Sequence, residues 1–194
     1  MKRLSLAAAL FATLAISGCG SMDIEEFEGR EPKLVLEEFF AGQTRAWGIF
    51  EDRFGNLRRQ FKVDIEGTWD GQTLTLVEDF FYADGEIDQR IWTLTKTGEN
   101  TYEGTADDVT GIARGQTAGN AFTWSYNLDL EVGGRTWNVH FEDWMFLQED
   151  GTMVNRAYVS KWGFQIGSAT IFFQKDDAAA DIQQSGADLQ RAAE

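Results

Sequence analysis

The sequence is poor in the residues that carry much specialised chemistry, with one cysteine, one histidine and one proline among 194 residues. A single cysteine cannot form an internal disulfide, and a single histidine cannot supply a multi-histidine metal site. Basic residues are also scarce: 17 Lys and Arg stand against 32 Asp and Glu, which gives a net charge of −15. A nucleic-acid partner is therefore excluded, because binding to phosphates needs a basic face.

Glycine and aromatic residues are plentiful by contrast. The chain has 20 glycines, and Phe, Trp and Tyr make up 13% of it. With almost no proline, glycine must supply the turns, and this composition favours a β-rich chain. The length suits one domain with tails.

The N-terminus has the pattern of an export signal. Two basic residues precede an apolar run of 13 residues, Leu4 to Ile16. That run is too short to span a membrane, which takes about 20 residues, but it fits the apolar region of a secretory signal. We therefore predict a signal peptide over residues 1–18.

Small residues just before Cys19 resemble the lipobox of bacterial lipoproteins. The resemblance implies that the Cys19 thiol carries a diacylglycerol, that the chain is cut before it, and that the new amine is acylated by a chain such as palmitate. Gly20, where an Asp would favour inner-membrane retention, implies the outer membrane. We expect a membrane partner through Cys19 on the periplasmic side, because two or more acyl chains anchor stably. An ordinary signal peptide with an incidental cysteine is the alternative.

The next two segments differ in character. Residues 19–31 are short and acidic, and we interpret them as the lipidated cysteine and a flexible tether. Pro32 suits the first turn of a helix, and Gly42 suits its end. The apolar spacing between them predicts a short helix over 32–41, with a strand as the alternative.

From Thr44 onward, turn signals such as Asp-Gly and Gly-Gly recur, and the stretches between them alternate apolar with polar residues. Such alternation is typical of antiparallel strands with one buried face, and the turn pairs favour tight hairpins. The apolar phase changes near Asp143-Trp144, which predicts a β-bulge. The clearest inward-facing sets are Phe61, Val63, Ile65, Gly67 and Trp69, then Phe122, Trp124, Tyr126, Leu128 and Leu130.

About ten strands are expected, and closing such a sheet removes its exposed edges. We predict an all-β domain over 32–175, a single up-and-down antiparallel β-barrel of the lipocalin or calycin kind with a short N-terminal helix. Residues 176–194 are rich in Ala, Asp and Gln, so we predict a flexible or weakly helical tail.

The domain also resembles an uncharacterised proteobacterial lipoprotein family of unknown function, in which a lipobox precedes one domain of this size. The likeness spans about 33–175 and supplies no catalytic residues. Genes of that family are sometimes found near fatty-acid-modifying genes, which implies a link to lipid. The motifs that carry it are Glu37-Glu38-Phe39-Phe40-Ala41-Gly42, Ala46-Trp47-Gly48-Ile49-Phe50-Glu51-Asp52-Arg53, Gly67-Thr68-Trp69-Asp70-Gly71, Tyr82-Ala83-Asp84-Gly85, Gly119-Asn120-Ala121, Asp143-Trp144-Met145-Phe146 and Asn155-Arg156.

Two arginines stand among apolar residues. Arg156 shares strand parity with Tyr158 and Trp162, and Arg90 directly precedes an Ile-Trp pair. A buried arginine needs a carboxylate partner, for which Asp79 and Asp143 are the candidates. The alternative is that it clamps the head group of a fatty acid or phospholipid.

Two acidic pairs, Glu78-Asp79 and Glu142-Asp143, lie beside aromatic residues. Neighbouring strand residues point to opposite faces, so one member of each pair should face inward. We take Asp79 and Asp143 as the candidate buried carboxylates. Catalysis would require that carboxylates from the two pairs meet across the barrel.

These observations favour a periplasmic lipoprotein that binds a fatty acid or phospholipid acyl chain inside its barrel. Trp124 is expected to line the cavity, with Arg156, Arg90, Tyr158 and Trp162 near the ligand. No catalytic residue, cofactor or metal is assigned. Two alternatives stay open, a structural envelope lipoprotein with a filled barrel and a lipid-modifying enzyme that uses buried carboxylates.

Overall fold

A computed structural model describes residues 22–175 of the chain. The predicted signal peptide over 1–18, the lipidated Cys19 and the predicted tail over 176–194 lie outside the described residues. Within the described part, a 3₁₀ turn (Ile24–Phe27) and a short helix, α1 (Leu36–Phe40), precede the strands. The strands are β1 (Gly42–Asp52), β2 (Leu57–Trp69), β3 (Thr73–Tyr82), β4 (Ile87–Lys96), β5 (Thr101–Thr105), β6 (Val109–Ala118), β7 (Ala121–Val132), β8 (Arg135–Leu147), β9 (Met153–Lys161) and β10 (Phe164–Lys175).

The ten strands form one closed antiparallel barrel in which each strand pairs with its sequence neighbours and β1 closes on β10. The predicted all-β, lipocalin-like barrel is therefore confirmed. Because the strands run up and down, the turns collect at two ends. The β1–β2, β3–β4, β5–β6, β7–β8 and β9–β10 turns surround one end, which we call the open end, and the opposite end faces α1.

Helix α1 closes that opposite end. The Phe40 carbonyl packs against Gly67 of β2 so closely that a Cβ there would lie 1.8 Å from the oxygen, which is why the strand carries glycine. Buried Glu37 accepts hydrogen bonds from Lys96 Nζ at 2.5 Å and the Tyr102 hydroxyl at 2.7 Å, which attach the helix to β4 and β5. These contacts fix the floor of the barrel.

The helix is shorter than the 32–41 expected from the sequence. The backbone N–H of Leu34 donates to the Gly119 carbonyl at 2.8 Å, so the residues before the helix run extended along the β6–β7 turn. That tertiary hydrogen bond competes with an earlier helical turn, and the helix begins only at Leu36.

The predicted tether over 19–31 is wrong from Ile24 onward. Ile24 and Phe27 are buried against Trp144, on the outside of the barrel wall. The ring centroid of Phe27 lies 6.1 Å from that of Trp144 and 5.3 Å from that of Phe146. Burial of these apolar side chains holds the acidic segment against the wall.

The predicted bulge near Asp143-Trp144 is also wrong. The β7–β8 register runs without a shift from Ala121 paired with Phe146 to Val132 paired with Arg135. The outward side chains of Trp144 and Phe146 are apolar because the 3₁₀ turn covers them. The change of phase in the sequence therefore marks a second buried face rather than an extra residue.

No helix within residues 22–175 is both long and apolar enough to cross a bilayer. Over the same residues, no group of three or more His, Cys, Asp or Glu side chains is arranged to hold a metal ion.

Candidate functional site

The interior of the barrel holds a cavity of about 550 Å³. A ten-strand barrel is wider than its own side chains readily fill, and the small residues Ala157 and Ala169 leave further room on β9 and β10. Trp124 lies in the wall in a T-shaped contact with Trp92, their ring centroids 5.7 Å apart. Other apolar lining residues include Phe61, Val63, Leu76, Phe80, Phe122, Leu128, Phe141 and Ile171.

A small polar cluster interrupts this apolar wall at mid-barrel, beginning with Arg90. Its guanidinium donates to both carboxylate oxygens of Asp108, with Nε at 3.1 Å and Nη2 at 2.7 Å. Burial disfavours the charge, but these hydrogen bonds outweigh it and raise the pKa of Arg90. The partner comes from the β5–β6 turn, so the predicted pairing with Asp79 or Asp143 is wrong.

Glu78 stands beside Arg90 in the β3–β4 register and faces the cavity. Burial raises its pKa to about 7, and the nearby charges of Asp108 and Asp143 act in the same direction, while Arg90 opposes them. A carboxyl group with this pKa exchanges its proton near neutral pH.

Asp143 projects into the cavity from β8. Burial raises its pKa to about 6, against the opposing effects of the Asn155 hydrogen bond and of the nearby Tyr126 hydroxyl. The side-chain amide of Asn155 donates to Asp143 Oδ1 at 2.9 Å. Burial and the negative charge of Asp143 raise the pKa of Tyr126 well above its usual value, so its phenol stays protonated. Glu78 and Asp143 thus line the same cavity.

Asp79, however, points out of the barrel and accepts a hydrogen bond from Gln89 Nε2 at 2.8 Å. Strand β3 buries the other parity, which includes Leu74, Leu76 and Glu78. The inward carboxylate of the first acidic pair is therefore Glu78. Aromatic residues occupy both faces at this end of β3, so alternation alone did not distinguish the two acids.

The predicted inward placement of Arg156, Tyr158 and Trp162 is wrong. Arg156 is exposed on the outer face of β9, with its guanidinium 5.5 Å from the ring centroid of Tyr158. Tyr158 packs towards the cluster around the 3₁₀ turn, and Trp162 lies in the β9–β10 turn. The inner face of β9 instead carries Asn155 and Ala157.

The open end carries an unusual set of exposed apolar side chains. Trp162 is 87% exposed, Phe54 74%, Phe164 73% and Ile87 70%, and all four lie in or beside turns of this end. Two cations accompany them, since the Arg53 guanidinium lies 4.6 Å from the ring centroid of Phe54 and Lys161 Nζ lies 5.0 Å from that of Trp162. We call these four apolar residues the apolar rim.

The barrel is similar to a solved structure, the S-type phycobiliprotein lyase CPES from Guillardia theta. The two share 12% sequence identity with a TM-score of 0.51, over 78% of this chain and 96% of that one. At this identity the likeness concerns the fold. No curated protein matches the sequence significantly. A family profile covers residues 13–175, and on this match the chain belongs to DUF3833, a family of proteins of unknown function.

Proposed function

We propose that this protein is a membrane-anchored carrier that binds an apolar molecule, such as the acyl chain of a fatty acid or phospholipid, inside its barrel. The observation that carries the proposal is the cavity of about 550 Å³ with a predominantly apolar wall. Binding sites for small molecules commonly have about 300–1,000 Å³ of such space. The same observation weighs against the alternative of a structural lipoprotein with a filled barrel.

The fold is the second support for this role. The structurally similar protein is named as a phycobiliprotein lyase, and the closed barrel of this chain has room to enclose a ligand. Anchoring through Cys19 in the outer membrane, facing the periplasm, is part of the proposal and rests on the lipobox-like sequence.

The cavity predicts saturable uptake of a fluorescent fatty acid by delipidated protein, in the micromolar range. Ala157→Phe places a ring in the cavity from β9 and should weaken uptake at least about tenfold, since it occupies the ligand's space. Arg156→Phe adds the same ring to the neighbouring outward position and is the matched control. Fluorescence titration measures both, with circular dichroism as a check on folding.

Either of two results would contradict this prediction. Wild-type protein without saturable uptake would remove the proposed function. A folded Ala157→Phe variant that binds as tightly as Arg156→Phe would place the ligand outside the cavity.

The apolar rim supports exchange of the ligand with a bilayer. Aromatic side chains with neighbouring cations are favoured at membrane interfaces, and here they surround the end of the barrel away from helix α1. The net charge of −15 opposes adsorption to anionic lipid, so rim contact should depend on apolar insertion.

We therefore expect Trp162→Ser/Phe164→Ser to slow transfer of a fluorescent fatty acid to phosphatidylcholine vesicles several-fold, while its equilibrium affinity stays unchanged. Trp47→Ser/Phe172→Ser removes exposed aromatic residues from the barrel wall and serves as the control. Stopped-flow fluorescence measures the rate of fatty acid transfer to the vesicles. Equal transfer rates for the two double variants would exclude the apolar rim as the surface that contacts the bilayer.

A second candidate function is a lipid-modifying enzyme, favoured by one observation. Glu78 and Asp143 face the same cavity, and burial raises the pKa of both carboxyl groups, to about 7 and about 6. Carboxyl groups tuned in this way serve as general acids or bases. Turnover of a bound lipid that is lost in Glu78→Gln would favour this function over carriage alone.

A further inference from the structure

Within residues 22–175, two oxygen atoms of residues in the cavity wall are buried and accept no hydrogen bond in normal geometry. They are Asp143 Oδ2 and Asn155 Oδ1, and both residues line the cavity. Asp143 is 5% exposed and Asn155 is 0% exposed, so bulk solvent does not supply the missing partners. Leaving a buried acceptor unpaired costs free energy, which a ligand that donates to it would recover.

The two atoms belong to one built arrangement. The Asn155 amide donates to Asp143 Oδ1, and this hydrogen bond orients both side chains. It uses one oxygen of the carboxylate and the nitrogen of the amide, so each group keeps an acceptor. The pair therefore has two unused acceptors beside the cavity, and one of the two N–H groups of its amide is already engaged.

The surrounding charges disfavour an anion at this position. Arg90 is held in a bidentate pair with Asp108. Glu78 adds a further carboxyl group to the same cavity. A fatty acid carboxylate placed here would therefore meet further acidic groups rather than a free cation.

We propose that Asp143 and Asn155 form a recognition site for an O–H or N–H donor on an otherwise apolar ligand. The ligand class is a long-chain molecule with an uncharged or cationic donor group, such as an alcohol, amide or amine. This inference rests on the proposed function and narrows it, because it excludes an ionised carboxylate at mid-barrel. Apolar walls on both sides of the site hold the rest of the ligand, for example Phe122 towards α1 and Leu128 towards the open end.

Three probes with the same alkyl chain test the proposal. They are 1-dodecanol, which donates, dodecyl methyl ether, which only accepts, and dodecanoate at pH 8, which is an anion. Quenching of tryptophan fluorescence reports their binding, since Trp92 and Trp124 line the cavity. We expect the alcohol to bind about tenfold more tightly than the ether, and dodecanoate to bind more weakly than the alcohol.

The decisive variant is Asp143→Leu/Asn155→Leu, which replaces both partners of a hydrogen bond by apolar groups and avoids leaving either one unpaired. It should still bind the ether, which shows that the barrel is folded, and the preference for the alcohol should fall to about onefold. Thr44→Val is the matched control, because Thr44 Oγ1 is also buried without a partner but is not part of the cavity wall. This control should keep the tenfold preference.

The outcomes separate the inference from the function on which it rests. Equal affinity of wild-type protein for alcohol and ether would overturn the donor site and leave the proposed function intact. A preference for the alcohol that survives in the double leucine variant would overturn it as well. If wild-type protein binds none of the three probes, the proposed function fails, and the donor site fails with it.

Discussion

Replacing Arg90 with methionine should lower the free energy of unfolding by about 2–3 kcal/mol. The change keeps the apolar stem of the side chain and removes all three hydrogen bonds to Asp108. Loss of one partner of a fully buried ion pair costs about 3–5 kcal/mol. We expect a smaller cost here, because the Arg90 and Asp108 side chains are 20% and 35% exposed. Urea denaturation at pH 7 measures the effect.

A matched control is available on the neighbouring sheet surface. Arg114 on β6 pairs with Glu103, and their side chains are 69% and 40% exposed. Exposed pairs contribute about 0–1 kcal/mol, so Arg114→Met should leave stability almost unchanged. Equal effects of the two substitutions would show that Arg90 acts as an ordinary surface residue.

Glu78→Gln should make the protein more stable than wild type at pH 8. Folding raises the pKa of Glu78 from 4.5 to about 7, so the folded state binds this proton more tightly than the unfolded state. The stabilising contribution is full below about pH 4.5 and is lost as the pH rises through about 7. At 1.36 kcal/mol per pKa unit, the upper limit of the loss is about 3 kcal/mol. Glutamine carries no charge and should escape this loss.

We expect wild-type protein and Glu78→Gln to differ in how steeply the free energy of unfolding changes with pH. The free energy of unfolding of wild-type protein falls between about pH 4.5 and pH 7, and Asp143, with its pKa raised to about 6, adds to the fall. Glu78→Gln should show a shallower fall, and its gain over wild type at pH 8 should be about 2 kcal/mol. Glu66→Gln removes an exposed carboxylate from the outer face of β2 and should leave the slope unchanged. A Glu78→Gln profile parallel to wild type would contradict a buried ionisable Glu78.

The architecture was predictable where the outer face of a strand meets water. From Phe61 in β2 and from Phe122 in β7, polar residues alternate with apolar ones or glycine, and the apolar residues face inward as expected from the sequence. Glycine-containing pairs marked most hairpin turns, because those turns need positive φ. These turns led to the expectation of about ten strands, but the β9–β10 turn at Trp162 was missed because strand parity placed Trp162 on a strand face.

Strand parity did not predict which residues face the barrel interior where both faces of a strand are apolar. In β8 and β9 the outward residues Trp144 and Tyr158 pack around the 3₁₀ turn, so their positions look as buried as those inside. Arg156 was placed inside for that reason. The sequence did not predict the carboxylate partner of Arg90 for a different reason. Asp108 lies in a turn 18 residues away, and strand alternation does not indicate where the side chain of a turn residue points.

The packed 3₁₀ turn also limits the length of the linker between the barrel and a membrane anchor at Cys19. Only five peptide steps separate Cys19 from Ile24, which is buried on the barrel wall. A fully extended chain covers about 3.3–3.6 Å per residue, so these steps reach at most about 18 Å. A barrel lipidated at Cys19 would stay within a short distance of the leaflet that holds it. It would then exchange ligand only with the membrane that anchors it. Transfer of the ligand over longer distances would require a soluble partner.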